Sequence, residues 1–205
     1  MHKPPASCHK NTKAFYKKCY INRLSLPIMT KNELLLLLDS WDTVNLLKNL
    51  AKGKINFLPE LMDIALYGNN RQSWRAAWIA DKVNEQQPGV VEPWIAPMTE
   101  TLKSLKHSGK KRQFLKLISL YPISVESQSF LIDYCLHILD GTGEPPAVKA
   151  YAMQILYNIS ENQPDLKEEL LEIMEFLIEI QESPGIQARA RKLAERLSKE
   201  VRARG

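Results

Sequence analysis

The chain has 205 residues, 44% hydrophobic and 25% charged, a soluble globular composition with room for one large or two small domains. Three cysteines, Cys8, Cys19 and Cys135, odd in number and without CxxC spacing, exclude a disulfide framework and a cysteine zinc site and point to a reducing, cytoplasmic setting. The net charge of +5 is no general nucleic-acid signal: residues 1–28 hold six basic and no acidic side chains, and the remainder carries 22 basic against 23 acidic.

That first segment, "MHKPPASCHKNTKAFYKKCYINRLSLPI", lacks the apolar region of a secretory signal and shows no amphipathic period. It reads as a disordered basic extension, or as residues preceding a true start at Met29. A basic arm for a polyanion is the other reading. Ordered structure is expected from "TKNE", where Thr30 and Glu33 make a capping box, so the organisation is an extension over 1–28 and a helical domain over 29–205. The longest apolar block, "LLLLL" at 34–38, is far too short to span a bilayer.

From Thr30 onward each segment reads as a helix followed by a short break, at "AKGK", "YGNN", "QQPG", "HSGK", "YPIS", "DGTGEPP", "NQPD" and "ESPG". Asp165 with Glu168 forms a second expected capping box, Pro184 suits a first helical turn, and Pro97 within "PWIAPM" is expected to kink its helix. No segment alternates apolar and polar residues for long, so the expected class is all-α without a sheet.

Four segments fall into register at an offset of 38 residues: "QSWRAAWIADKV", "KKRQFLKLISLY", "VKAYAMQILYNI" and "IQARARKLAERL", beginning at Gln72, Lys110, Val148 and Ile186. Ala76, Phe114, Ala152 and Ala190 share one column. Ile79, Leu117, Ile155 and Leu193 share the next, and Val83, Tyr121, Ile159 and Leu197 a third. The intervening helices give Trp94, Ile132 and Leu170, then Met98, Leu136 and Met174, then Thr101, Leu139 and Leu177. One unit is therefore an antiparallel helix pair, which buries its apolar face only by stacking on a neighbour, so an α-α superhelix is expected.

These segments resemble the HEAT and armadillo class. "VKAYAMQILYNI" and "IQARARKLAERL" are similar to the second helix of a HEAT unit, with small alanines before a leucine stripe. The interval is slightly below the roughly 40 to 47 residues usual for the class, and the tetratricopeptide signature is absent. The resemblance covers about residues 55–201 and implies a macromolecule-binding solenoid; fold class alone fixes no activity.

At about 100° per residue, Trp74 and Trp78 lie opposite the Ala76, Ile79, Val83 stripe. Their column mates are Arg112 and Lys116, Ala150 and Gln154, and Ala188 and Lys192; beside them run Arg75, Gln113, Tyr151 and Arg189, then Lys82, Leu120, Asn158 and Arg196. None of these is acidic, whereas residues 161–182 carry eight acids against Lys167 alone. The expected partner surface is a cationic, aromatic-bearing groove of Trp74, Arg75, Trp78, Arg112, Lys116, Tyr151, Arg189 and Lys192, residue types that often carry interface energy. The bland alternative is that the tryptophans pack beneath residues 41–60 and that the α-helix from 186 onward simply presents a solvated basic face.

"SWDTVN" at 40–45, followed by "NNRQSWRAAW", resembles a pair of segments in the HEAT-like DNA alkylation repair glycosylases. That resemblance implies Trp41 as an aromatic wall and Arg75 as a phosphate-facing arginine. Asn45 departs from it, standing where the family's catalytic carboxylate belongs; an amide does not stabilise a developing cation as a carboxylate does. Affinity for duplex DNA rests on neutralising many phosphates, which a body charge of −1 does not favour.

Other chemistry is read as absent. The histidines His2, His9, His107 and His137 share no metal-ligand spacing. Cys135 in "FLIDYCLHIL" reads as a buried thiol, "GTG" at 141–143 as a turn, and "NIS" at Asn158 as a chance glycosylation match. The expectation is a non-enzymatic protein- or peptide-binding scaffold without metal, cofactor or small-molecule substrate, with a DNA-binding protein of the repair type as the alternative.

Overall fold

The computed structural model describes residues 30–40, 57–68, 70–180 and 183–203. Among these residues there are nine α-helices, one short 3-10 helix and no strand. The expected Met29 start and the segments holding Trp41 and Asn45 lie outside the described residues. The chain divides into two compact units between Pro93 and Trp94.

The first unit contains α1 (Lys31–Ser40), α2 (Leu58–Tyr67) and α3 (Asn70–Gln86). Helix α1 opens on the expected capping box: the Glu33 amide donates to Thr30 Oγ1 at 3.3 Å and the Thr30 amide donates to the Glu33 carboxylate at 2.7 Å. The Thr30 amide and the Thr30 hydroxyl, the latter at 2.9 Å, both donate to the Glu33 carboxylate, and these two bonds hold its pKa below the ordinary value. Helix α2 packs along α3, and α1 packs against both. Leu34 and Leu38 of α1, Leu61 and Met62 of α2, and Ala76, Ile79 and Val83 of α3 are all fully buried. Alanines at 76, 77 and 80 remove side-chain bulk on the face that α3 turns inward.

The second unit begins with the 3-10 turn Glu92–Trp94 and contains α4 (Ile95–Leu102), α5 (Ser108–Ile118), α6 (Val125–Asp140), α7 (Pro146–Ser160), α8 (Leu166–Glu179) and α9 (Pro184–Arg202). They pair as α4 with α5, α6 with α7 and α8 with α9, and the second helices α5, α7 and α9 lie side by side. The three predicted second-helix columns are buried at every position in both units, the most exposed being Tyr121 at 9%.

The first-helix columns need a correction at α6. Trp94, Met98, Leu170, Met174, Leu139 and Leu177 are buried as expected, but Ile132, Leu136 and Thr101 are only half-buried. In α6 the core takes Leu131, Cys135 and Ile138, so Met98, Cys135 and Met174 recur at 37 and then 39 residues. A fixed offset assumes equal turns, yet six residues precede α6 and five precede α8. One residue rotates a helix face by about 100°, and packing decides the phase.

Two terminal expectations also change. Asp165 makes no side-chain cap, because its backbone is already helical (φ −68°, ψ −20°). The turn closes through backbone bonds instead, Leu166 N–H to Gln163 C=O at 3.0 Å and Lys167 N–H to Pro164 C=O at 3.1 Å. A capping side chain needs an extended residue to aim it. Pro97 does not sit in a helix interior, since α4 starts at Ile95. In the first turn its missing amide leaves no helical bond unmade. Pro184 begins α9 as expected.

Candidate functional site

The eight predicted partner-facing residues divide between the units. Trp74, Arg75 and Trp78 project from α3, and all three are half-buried. The Arg75 guanidinium reaches the end of α1, where Nη1 donates to the Leu38 carbonyl at 2.5 Å and the Asp39 carbonyl at 3.0 Å. It thereby satisfies acceptors that a helix C-terminus leaves open, and its positive charge meets the negative end of the helix dipole. Gln72 Nε2 adds a 2.6 Å bond to the Asp39 carboxylate. Desolvation and the nearby Arg71 lower the Arg75 pKa, with Asp39 opposing them. Trp78 carries the Lys82 ammonium 5.7 Å from its ring centroid. Lys82 is in turn held by Glu85 at 2.6 Å and stands 4.0 Å from Asp81, so carboxylates of the same helix temper this patch.

In the second unit Arg112, Lys116, Tyr151, Arg189 and Lys192 lie on the three neighbouring second helices. Arg112 and Lys192 are exposed, while Lys116, Tyr151 and Arg189 are half-buried. A polar row links these helices. Arg189 Nη2 of α9 donates to Gln154 Oε1 of α7, Gln154 Nε2 donates to Asn158 Oδ1 at 2.5 Å, and Asn158 Nδ2 donates to the Ser119 carbonyl at the end of α5 at 2.9 Å. Burial and the like charge of Arg196 lower the Arg189 pKa, and Tyr151 partly offsets them. The "NIS" asparagine is therefore a cross-helix strut.

The repeat also contains polar locks that sequence reasoning missed. Ser73 Oγ of α3 donates to the Ala65 carbonyl of α2 at 3.0 Å, and Lys149 Nζ of α7 donates to the Leu139 carbonyl of α6 at 3.1 Å. Each ties the start of a second helix to the end of its first helix. Ser73 and Lys149 occupy the same place in the 38-residue register, the column immediately before that of Trp74, and only 2% of either is exposed. Lys110 is buried as well, at 6% exposure. Its column mates Val148 and Ile186 are both core residues, which was the available signal. On the other side of α9, Glu200 accepts from Lys167 Nζ of α8 at 2.5 Å and from Tyr157 Oη of α7 at 2.7 Å. These two donors hold the Glu200 carboxyl below its usual range.

Cys135 is fully buried, and burial pushes its thiol pKa upward. No group of three or more His, Cys, Asp or Glu side chains is placed to hold a metal ion among the described residues. No described helix is long and apolar enough to cross a membrane.

The HEAT repeat domain model matches residues 31–199. The chain belongs to the HEAT repeat family. Comparison with curated proteins and with solved structures returns no match. As HEAT units, the helix pairs account for the buried second-helix columns and for the side-by-side second helices of the second unit, since each hairpin needs a neighbour to cover its apolar stripe. The family does not by itself carry a resemblance to alkylation repair glycosylases.

Proposed function

We propose that the chain is a non-enzymatic HEAT scaffold that binds a protein or peptide, and that the contact residues are those on the outward side of the second helices. In the second unit these are Arg112, Lys116, Tyr151 and Lys192, with Arg189 holding the face in shape; in the first unit Trp74 and Trp78 form a separate aromatic patch beside Arg75. The observation that carries this reading is the polar row from Arg189 through Gln154 and Asn158 to the Ser119 carbonyl. It links the three helices that carry these cations, and a surface ordered before binding loses less entropy on association. The face has a positive sign and an aromatic side chain, which suits a partner with acidic and apolar groups.

A photo-reactive benzoylphenylalanine in place of Tyr151 tests the reading. Irradiation in cell extract is expected to give a discrete adduct that protease removes and nuclease does not. A nuclease-sensitive adduct would instead favour the DNA-binding alternative, and absence of any adduct would discard this face.

A further inference from the structure

The two layers of the second unit do not close equally. The second helices α5, α7 and α9 are neighbours throughout, and α4 lies against α6, but α6 and α8 part around a groove of about 680 Å³. Its apolar floor is Leu139 from the end of α6 with Ile173 and Phe176 of α8 and Ile180 just past its end, and Asp140, Glu169 and Glu172 stand among them. Phe176 is 58% exposed and Ile180 47%, unusual for large apolar side chains.

The periodicity of α8 explains the exposure. Leu170, Met174 and Leu177 form the stripe that enters the core, as one apolar stripe per helix requires. Ile173, Phe176 and Ile180 form a second stripe at the same helical spacing, turned into the groove. Helix α6 behaves alike: Ile132 and Leu136, which the repeat register assigned to the core, instead line a recess of about 30 Å³ that shares Glu169 and Ile173 with the groove. Both helices thus carry apolar residues that their packing covers only in part.

Charge indicates what covers them. Helix α8 carries five glutamates, at 168, 169, 172, 175 and 179, and its one basic residue, Lys167, is engaged by Glu200. Among the described residues no cation is paired with Asp140, Glu169 or Glu172. Hydrocarbon flanked by uncompensated carboxylates fits a ligand that is apolar along one line and basic on either side.

We infer that the groove between α6 and α8 docks a cationic amphipathic helix of a partner protein, its apolar stripe on Ile173, Phe176 and Ile180 and its Lys or Arg side chains opposite Asp140, Glu169 and Glu172. This surface lies on the first-helix layer and has the opposite sign to the face proposed above, so the two recognise different chemistry.

The test uses the full chain and labelled model helices followed by fluorescence anisotropy. A Leu/Lys amphipathic helix is expected to bind, and a Leu/Glu helix of the same pattern and a scrambled Leu/Lys peptide are not. Phe176→Ser with Ile180→Ser, or Glu169→Lys with Glu172→Lys, should each weaken binding about tenfold or more, the scale of losing a buried apolar anchor or reversing a paired charge. Val125→Ser, at an exposed apolar site elsewhere on α6, should leave it unchanged. Thermal melts confirm that the variants fold. Equal binding of the scrambled peptide, or insensitivity to both groove variants, overturns the proposal. So does a dimer of the chain that Phe176→Ser with Ile180→Ser dissociates, since a second copy would then be the occupant.

Discussion

Asn158 illustrates what single residues contribute here. Its amide accepts from Gln154 within α7 and donates to the Ser119 carbonyl of α5, so one short side chain joins two helices. Asn158→Ala leaves a partly buried carbonyl without its donor and is expected to cost about 1–2 kcal/mol in urea unfolding. Because Gln154 and Asn158 share one row, the double variant with Gln154→Ala should cost less than the two single losses combined; strict additivity would show that the row is not a unit. The residue scale was the least legible in sequence. The column of Lys82, Leu120, Asn158 and Arg196 was readable as outward-facing, but a hydrogen bond to a backbone carbonyl 39 positions away leaves no pattern in residue types. Arg75 makes the same point: its place beside Trp74 is legible in the sequence, but the bonds from its Nη1 to the Leu38 and Asp39 carbonyls are not.

Elements were more legible where local chemistry alone decides. The Thr30 and Glu33 capping box needs only a three-residue spacing, and both its bonds form. The Asp165 box fails because Pro164 and its neighbours set a turn that backbone bonds close on their own. Phase is harder than type: α6 is a helix as expected, yet its buried stripe is shifted by one residue because the turns differ in length. Lys110 gives a testable consequence of an element packing a charge inward. Burial lowers its folded-state pKa to about 8, below the roughly 10.4 of an unfolded chain. The unfolded chain holds more protons between those values, so stability should rise from pH 8 upward as the folded state loses this proton, while below pH 8 the penalty is constant. Lys110→Met is expected to stabilise the chain near neutral pH by on the order of 1–2 kcal/mol, allowing for residual screening, with the advantage vanishing by about pH 10. Denaturant midpoints of both proteins across that range check it; an advantage independent of pH would assign the gain to packing instead.

At the scale of the molecule, the constant interval of the second helices made the fold readable. Ala76, Phe114, Ala152 and Ala190 are each fully buried, because a hairpin that repeats must repeat its covered face. Function was less readable, since a HEAT array works through surfaces and sequence columns specify burial better than partners. The charge segregation seen in the sequence does map onto the fold of the second unit: α8 is acidic along the first-helix layer, and Arg112, Lys116, Arg189 and Lys192 lie on the second-helix layer. A HEAT scaffold whose two layers carry opposite charge in the second unit is the account that joins these facts.

Its central claim is that binding runs through the cationic second-helix face. The most direct measurement is the amount of protein partner retained by the full chain carrying Arg112→Glu, Lys116→Glu and Lys192→Glu, set against the parent at equal helical content by circular dichroism. The account predicts a loss of about tenfold or more, as reversal of complementary interface charges requires. Retention at the parent's level by the folded variant would contradict it.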